Sequence, residues 1–174
     1  MEKIIFHKET KTFHLYNEEI SYIMCVLENG HMGQLYYGKR IHDKPDFSYL
    51  VEKCGRPMTS YIFEGDRSFS LEHIRQEYPV YGTTDYRHPA IEIMQENGSN
   101  ISEFQYVGYE ILKGKPSLKG LPATYTESEE EAETLKIILK DSLTGAKLTL
   151  LYTIFSKGSA IARSAHICNE GEKV

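Results

Sequence analysis

The 174 residues include no tryptophan and only three cysteines, an odd number set far apart at Cys25, Cys54 and Cys168. That spacing writes neither a disulfide framework nor a Cys-x-x-Cys metal or redox site, so each is expected as a reduced, small apolar residue on a strand or loop. Basic residues are in the minority. Lys and Arg number 20 against 25 Asp and Glu, for a net charge of −5, which leaves no basic stripe for a nucleic-acid backbone. No apolar run approaches the roughly 20 residues that cross a bilayer, and the start, "MEKIIFHKE", is too short in apolar residues for a signal-peptide core. The expected setting is cytoplasmic, with neither nucleic acid nor membrane as partner.

Catalytic signatures are also missing. The seven histidines form no His-x-His or His-Glu-x-x-His pair, so a metal site would have to assemble from distant segments; no metal and no cofactor are expected. Gly-x-Ser-x-Gly is absent. "KGKPSLKGLP" has glycine and lysine but carries prolines where a phosphate cradle needs a helix N-terminus. Among 25 acidic residues, no pair stands out as the two carboxylates of a glycosidase.

What is present is tyrosine, 13 in all, and a hydrophobic period of two. "TFHLYNEEISYIMCVLENGHMGQLYYG" reads as short strands divided by turns at "NEE" and "ENG". A second "ENG", residues 96–98, follows a strand expected at Ala90–Met94. From residue 134 onward strand-like runs alternate with turns at Thr144-Gly145, Lys157-Gly158 and Glu170-Gly171. At least eight strands in sequential connection predict a single, mainly β domain of two antiparallel layers, with at most short helical turns. "ICNEGEKV" stops where another strand is expected, as in a piece of a longer polypeptide.

Four segments break this rhythm. Residues 40–66, with Pro45, Gly55 and Pro57, read as a long surface loop of the kind kept for binding or assembly. "SFSLEHIRQEY" has room for one or two helical turns capped by Ser68 or Ser70. "TESEEEAE", residues 126–133, reads as a solvated approach to a hairpin whose charges blunt a sheet edge. In "QEYPVYGTTDYRHPAIEI", residues 76–93, Asp85 and Arg87 share a face and are expected to pair, making a rigid crossover and not a catalytic centre.

That last segment also resembles the α-galactosidases of glycoside hydrolase family 36. So do "YYGKRI" (36–41), "DRSFSL" (66–71), "GKPSLKGLPATY" (114–125), "EAETLKIIL" (131–139) and "SAIARSAHICNEG" (159–171). The resemblance implies an amino-terminal β-supersandwich spanning 1–174, followed in the family by a (β/α)₈ barrel that bears both catalytic aspartates. It implies retaining hydrolysis of terminal α-galactosides such as melibiose and raffinose, no catalytic residue in this stretch, and a homotetramer in which this domain leans over a neighbouring subunit's pocket. It places an arginine, here Arg67, and an acid of the 40–60 loop near galactoside. The matching place falls at Val51 or Glu52, of which Glu52 carries the acid; a local ion pair with Asp66 or Glu64 is the other use for Arg67. Two other classes fit a β-sandwich: a carbohydrate-binding module stacking sugar on Tyr36, Tyr37 or Tyr49, and a sugar mutarotase drawing its general acid from His14, His31 or His166.

Overall fold

The computed structural model describes residues 3–55, 58, 60–120 and 123–171. Pro57 of the long loop, and Leu121 and Pro122 of the "KGLP" segment, lie outside the described residues. Eight strands form two four-stranded antiparallel sheets: β1 (Ile4–His7), β2 (Thr12–Tyr16), β3 (Ile20–Val26) and β4 (Met32–Lys39) in one, β5 (Phe104–Lys113), β6 (Ala132–Asp141), β7 (Ala146–Phe155) and β8 (Ile161–Asn169) in the other. Strand order follows chain order in both. This is the expected mainly β, two-layer architecture.

The turns lie where the sequence marks them. Asn17 Oδ1 accepts the N–H groups of Glu19 and Ile20, closing the β2–β3 turn. Gly30 takes φ +85° between β3 and β4, a left-handed conformation that costs glycine nothing. Alternate residues then sort to two faces. Ile4, Phe13, Leu15, Tyr22 and Met24 meet Leu135, Ile137, Leu148, Leu150 and Tyr152 in the core between the sheets. Each such side chain, fully removed from water, contributes about 1.5–3 kcal/mol.

β3 is covered on its other face too. Ile23 and Cys25 pack there with Leu35, Phe47, Phe69, Leu71 and Ile74 in a second core. This cover comes from residues 40–103, the long excursion between β4 and β5, whose regular structure among the described residues is a single 3-10 turn at Ser48–Leu50. Burial pushes the Cys25 thiol up to about 12, and all three cysteines are free, as expected.

Two local expectations are corrected and a third is met. Ala90–Met94 is not a strand: Ile91 and Ile93 pack on the inter-sheet core while Glu92 and Met94 face water, but no neighbouring backbone forms a ladder with them. The turn after it does form, with Gly98 N–H donating to Gln95 O at 2.9 Å. "SFSLEHIRQEY" holds one turn and no helix, Ser70 Oγ accepting Glu72 N–H at 3.3 Å. The acidic run leads into β6, an interior strand, so it blunts no edge; Glu129–Glu131 form a 3-10 turn and Glu133 accepts the Lys3 N–H at 2.7 Å.

Candidate functional site

Among the described residues, the longest segment outside regular structure is the 40–103 excursion, and three polar knots hold it in place. The first fastens its beginning. His14 on β2 has Nδ1 at 2.7 Å from Asp43 Oδ1 and Nε2 at 2.9 Å from Ser21 Oγ on β3, while His7 Nε2 on β1 lies 2.9 Å from the same Asp43 oxygen. Ser, His and Asp thus stand in the order of a hydrolytic triad. They cannot act as one: Ser21 and His14 are 0% exposed, and Ser21 Oγ accepts the Ile41 N–H at 3.0 Å. Burial pushes the His14 pKa down despite the neighbouring carboxylate. Burial works against the charge of Asp43, but hydrogen bonds from His14 and His7 outweigh it and hold the carboxyl below its usual range.

The second knot sits in the "QEYPVYGTTDYRHPA" stretch. Residues 75–77 run antiparallel beside the start of β4, with Gln34 N–H donating to Arg75 O at 3.0 Å and Glu77 N–H to Met32 O at 2.9 Å. Alternation along this extended piece sends Gln76 one way and Glu77 the other. Gln76 Oε1 meets His31 Nδ1 at 2.9 Å and its Nε2 donates to Asp85 Oδ2 at 2.5 Å. Arg87 grips both oxygens of Asp85 from Nε and Nη2, each at 2.9 Å, and Nη2 also donates to the carbonyls of Leu71 and Ile74 at 2.6 and 2.9 Å. The expected Asp85–Arg87 pair is therefore present and internal, and the hydrogen bond to Asp85 raises the Arg87 pKa further.

Glu77 makes the third knot. Its carboxylate lies between the sheets and accepts Tyr22 O–H at 2.6 Å, Tyr152 O–H at 2.7 Å and Arg163 Nη2 at 2.9 Å. One carboxylate so ties β3, β7 and β8 to the excursion. Burial, then the Glu77 charge, raise both tyrosine pKa values. Nothing in the sequence flags Glu77 or the Ser21–His14–Asp43 set, because their partners lie seven to 86 residues away.

On this fastened frame Glu52 and Arg67 are both exposed. The frame brings their backbones side by side, Cys54 N–H donating to Ser68 O at 3.2 Å. Among the described residues neither side chain has a hydrogen bond or ion pair. Asp66 is no partner for Arg67, since it accepts Ser68 N–H and Oγ–H at 2.8 and 2.6 Å. A free carboxylate and a free guanidinium on adjoining segments suit a polyhydroxylated ligand, whose hydroxyls both donate and accept.

The residues expected of a carbohydrate-binding module or a mutarotase do not assemble. Tyr36 and Tyr37 point to opposite faces of β4, with Tyr37 bonded through its hydroxyl to Ser159 O at 2.9 Å. Tyr49 is 63% exposed beneath Lys44. His14 and His31 are buried, out of reach of any sugar, and His166 is exposed on β8. No cluster of three or more metal-ligating side chains occurs among the described residues.

Residues 30–174 match the glycosyl hydrolase family 36 N-terminal domain. The chain belongs to that family. It is 42% identical over 168 residues to α-galactosidase AgaA of Geobacillus stearothermophilus, covering 97% of this chain and 23% of that relative. The crystal structure of an α-galactosidase from Lactobacillus brevis superposes with a TM-score of 0.92 at 36% identity, over 98% of this chain and 23% of that one. A substituted form of AgaA solved in complex with raffinose gives a TM-score of 0.87 at 42% identity, over 94% and 23%. The family 36 chain thus spans about a quarter of the length of the relatives it matches.

Proposed function

We propose that this chain is the amino-terminal, non-catalytic part of a cytoplasmic, retaining α-galactosidase acting on terminal α-galactosides such as melibiose and raffinose. The observation that carries this reading is the match over nearly the whole chain to less than a quarter of family 36 enzymes, one of them solved with raffinose. In this reading both catalytic carboxylates belong to a barrel that follows, and the chain contributes to a homotetramer and to the rim of the substrate pocket. Arg67 and Glu52 are the rim residues. Their exposure, their freedom from internal partners and the anchoring of the segments that bear them support that role.

The test is release of nitrophenol from a nitrophenyl α-galactoside by the purified 174-residue chain. No turnover above a protein-free control is expected, because in this reading both catalytic carboxylates lie on the barrel that follows. Turnover that co-purifies with the chain overturns the proposal.

A further inference from the structure

We propose that His14, His7 and Asp43 form a proton-operated latch, which holds residues 40–47 on the outer face of the first sheet near neutral pH and loosens them in mildly acidic solution. The geometry gives each proton a place. With His14 neutral, Nδ1–H donates to Asp43 Oδ1 and the Nε2 lone pair accepts from Ser21 O–H, leaving Ser21 Oγ to accept the Ile41 N–H. A second proton on His14 must go to Nε2, where it faces the Ser21 proton. The hydroxyl then has to turn away inside a site that is 0% exposed, and a buried donor without an acceptor is costly.

The surroundings leave that charge little support. His14 lies against the rings of Tyr16 at 5.0 Å and Phe47 at 5.5 Å. The charged and titratable groups that act on it are Asp43, which favours protonation, and His7 and Arg40, which oppose it. Burial outweighs Asp43, so His14 in the closed latch lies below its ordinary 6.5. When the segment lifts and His14 meets water, that burden is removed. The open state therefore binds more protons between about pH 6.5 and the closed-state value, and acid shifts the balance toward it. Asp43 does not oppose the change, because its carboxyl is held below 3.8 and stays ionised throughout that window.

Lifting releases the Ile41 N–H from Ser21 and weakens the approach to Phe47, Tyr49 and Glu52. If the rim role proposed above is correct, proton concentration would set how firmly that rim is held. The latch itself is a property of this chain alone and is tested without substrate.

The experiment follows amide hydrogen exchange across residues 40–50 from pH 8 to pH 5, corrected for intrinsic rates, with the His14 ring titrated by NMR on the same sample. The protection of Ile41 is expected to fall as the pH drops below about 6.5, by at most about tenfold per pH unit for the one proton taken up, and to level off where the His14 ring titrates, while the β6 and β7 amides keep theirs. Ser21→Ala removes the hydroxyl that donates to Nε2 and also the acceptor of the Ile41 N–H, so it is read at the Ser48 and Leu50 amides, whose exchange midpoint should move upward together with that of the ring. His14→Gln should leave protection of 40–50 independent of pH. Protection that does not change with pH, that changes equally in β6 and β7, or that keeps its pH dependence in His14→Gln overturns the latch. If His14→Gln does not fold, failure of the exchange midpoint to follow the ring in Ser21→Ala is equally decisive.

Discussion

Arg87 and Arg67 lie twenty residues apart in one excursion and have opposite fates. The guanidinium of Arg87 is occupied by Asp85 and by the carbonyls of Leu71 and Ile74. Arg87→Ala would leave a carboxylate that is 2% exposed with Gln76 as its one side-chain donor among the described residues, and, with the guanidinium side of the pair 40% exposed to water, should lower unfolding free energy by about 1–3 kcal/mol. Asp85→Ala should fall in the same range, and the double variant should lose less than the sum, by about 0.5–3 kcal/mol in chemical denaturation. Additive, near-zero effects would remove the anchoring role. Arg67 has no such ties, so Arg67→Ala should change the stability of this chain by less than about 0.5 kcal/mol. In the longer α-galactosidase proposed above, the same substitution should lower kcat/KM for melibiose or raffinose roughly ten- to hundredfold, the loss of one charged hydrogen bond of about 1.5–3 kcal/mol. Unchanged kinetics there would take Arg67 out of the pocket. A third position is strained. Thr83 and Thr84 occupy both centres of the Gly82–Asp85 turn at φ 49° and 71°, with their hydroxyls buried and without partners among the described residues. Left-handed backbone costs a β-branched residue about 1–2 kcal/mol, so Thr84→Gly should raise Tm by about 2–4 °C per kcal/mol recovered. A lowered Tm would mean that the threonine methyl packs better than the backbone is strained.

At the scale of elements, the strands were legible because burial on one face imposes a period of two, and "NEE", "ENG", "TG" and "KG" mark the reversals after β2, β3, β6 and β7. β1 is four residues long, too short to show a period. Ala90–Met94 has the right alternation but only an isolated backbone bond, Ala90 N–H to Pro79 O at 2.8 Å, in place of a ladder; sequence pattern reports which side chains are buried, not what the amides pair with. The excursion was recognisable as irregular, and Asp85–Arg87 as a pair, since both follow from local composition. Its attachment was not legible. Glu77 is a glutamate beside a tyrosine in the text, and becomes the centre of a knot only when 75–77 lies beside β4 and points it at Tyr22 and Tyr152. His14 likewise looks like any strand histidine until Asp43 folds back over it. Arg67 and Glu52 came from resemblance alone. In the structure both are exposed and without side-chain partners among the described residues, and neither property has a sequence signature.

At the scale of the molecule, each sheet is a meander complete in its own stretch of chain, 4–39 and 104–169. Covalent continuity between the sheets runs only through the excursion, and the excursion is held by contacts that need no chain connection. The exposed turn at Asn97–Gly98, where a Cβ on the glycine would meet nothing within 4 Å, is therefore a place where the polypeptide can be divided. The first half would keep one sheet, both cores' outer contributors and the Glu77 carboxylate; the second would keep the other sheet with Tyr152 and Arg163. Two such half-chains, refolded together, should reconstitute a one-to-one particle with the far-ultraviolet spectrum of the intact chain, and Glu77→Ala in the first half should abolish the reunion. Halves that remain apart, each soluble and unpaired, would mean that the peptide bond at 97–98 supplies effective concentration which side-chain complementarity cannot replace.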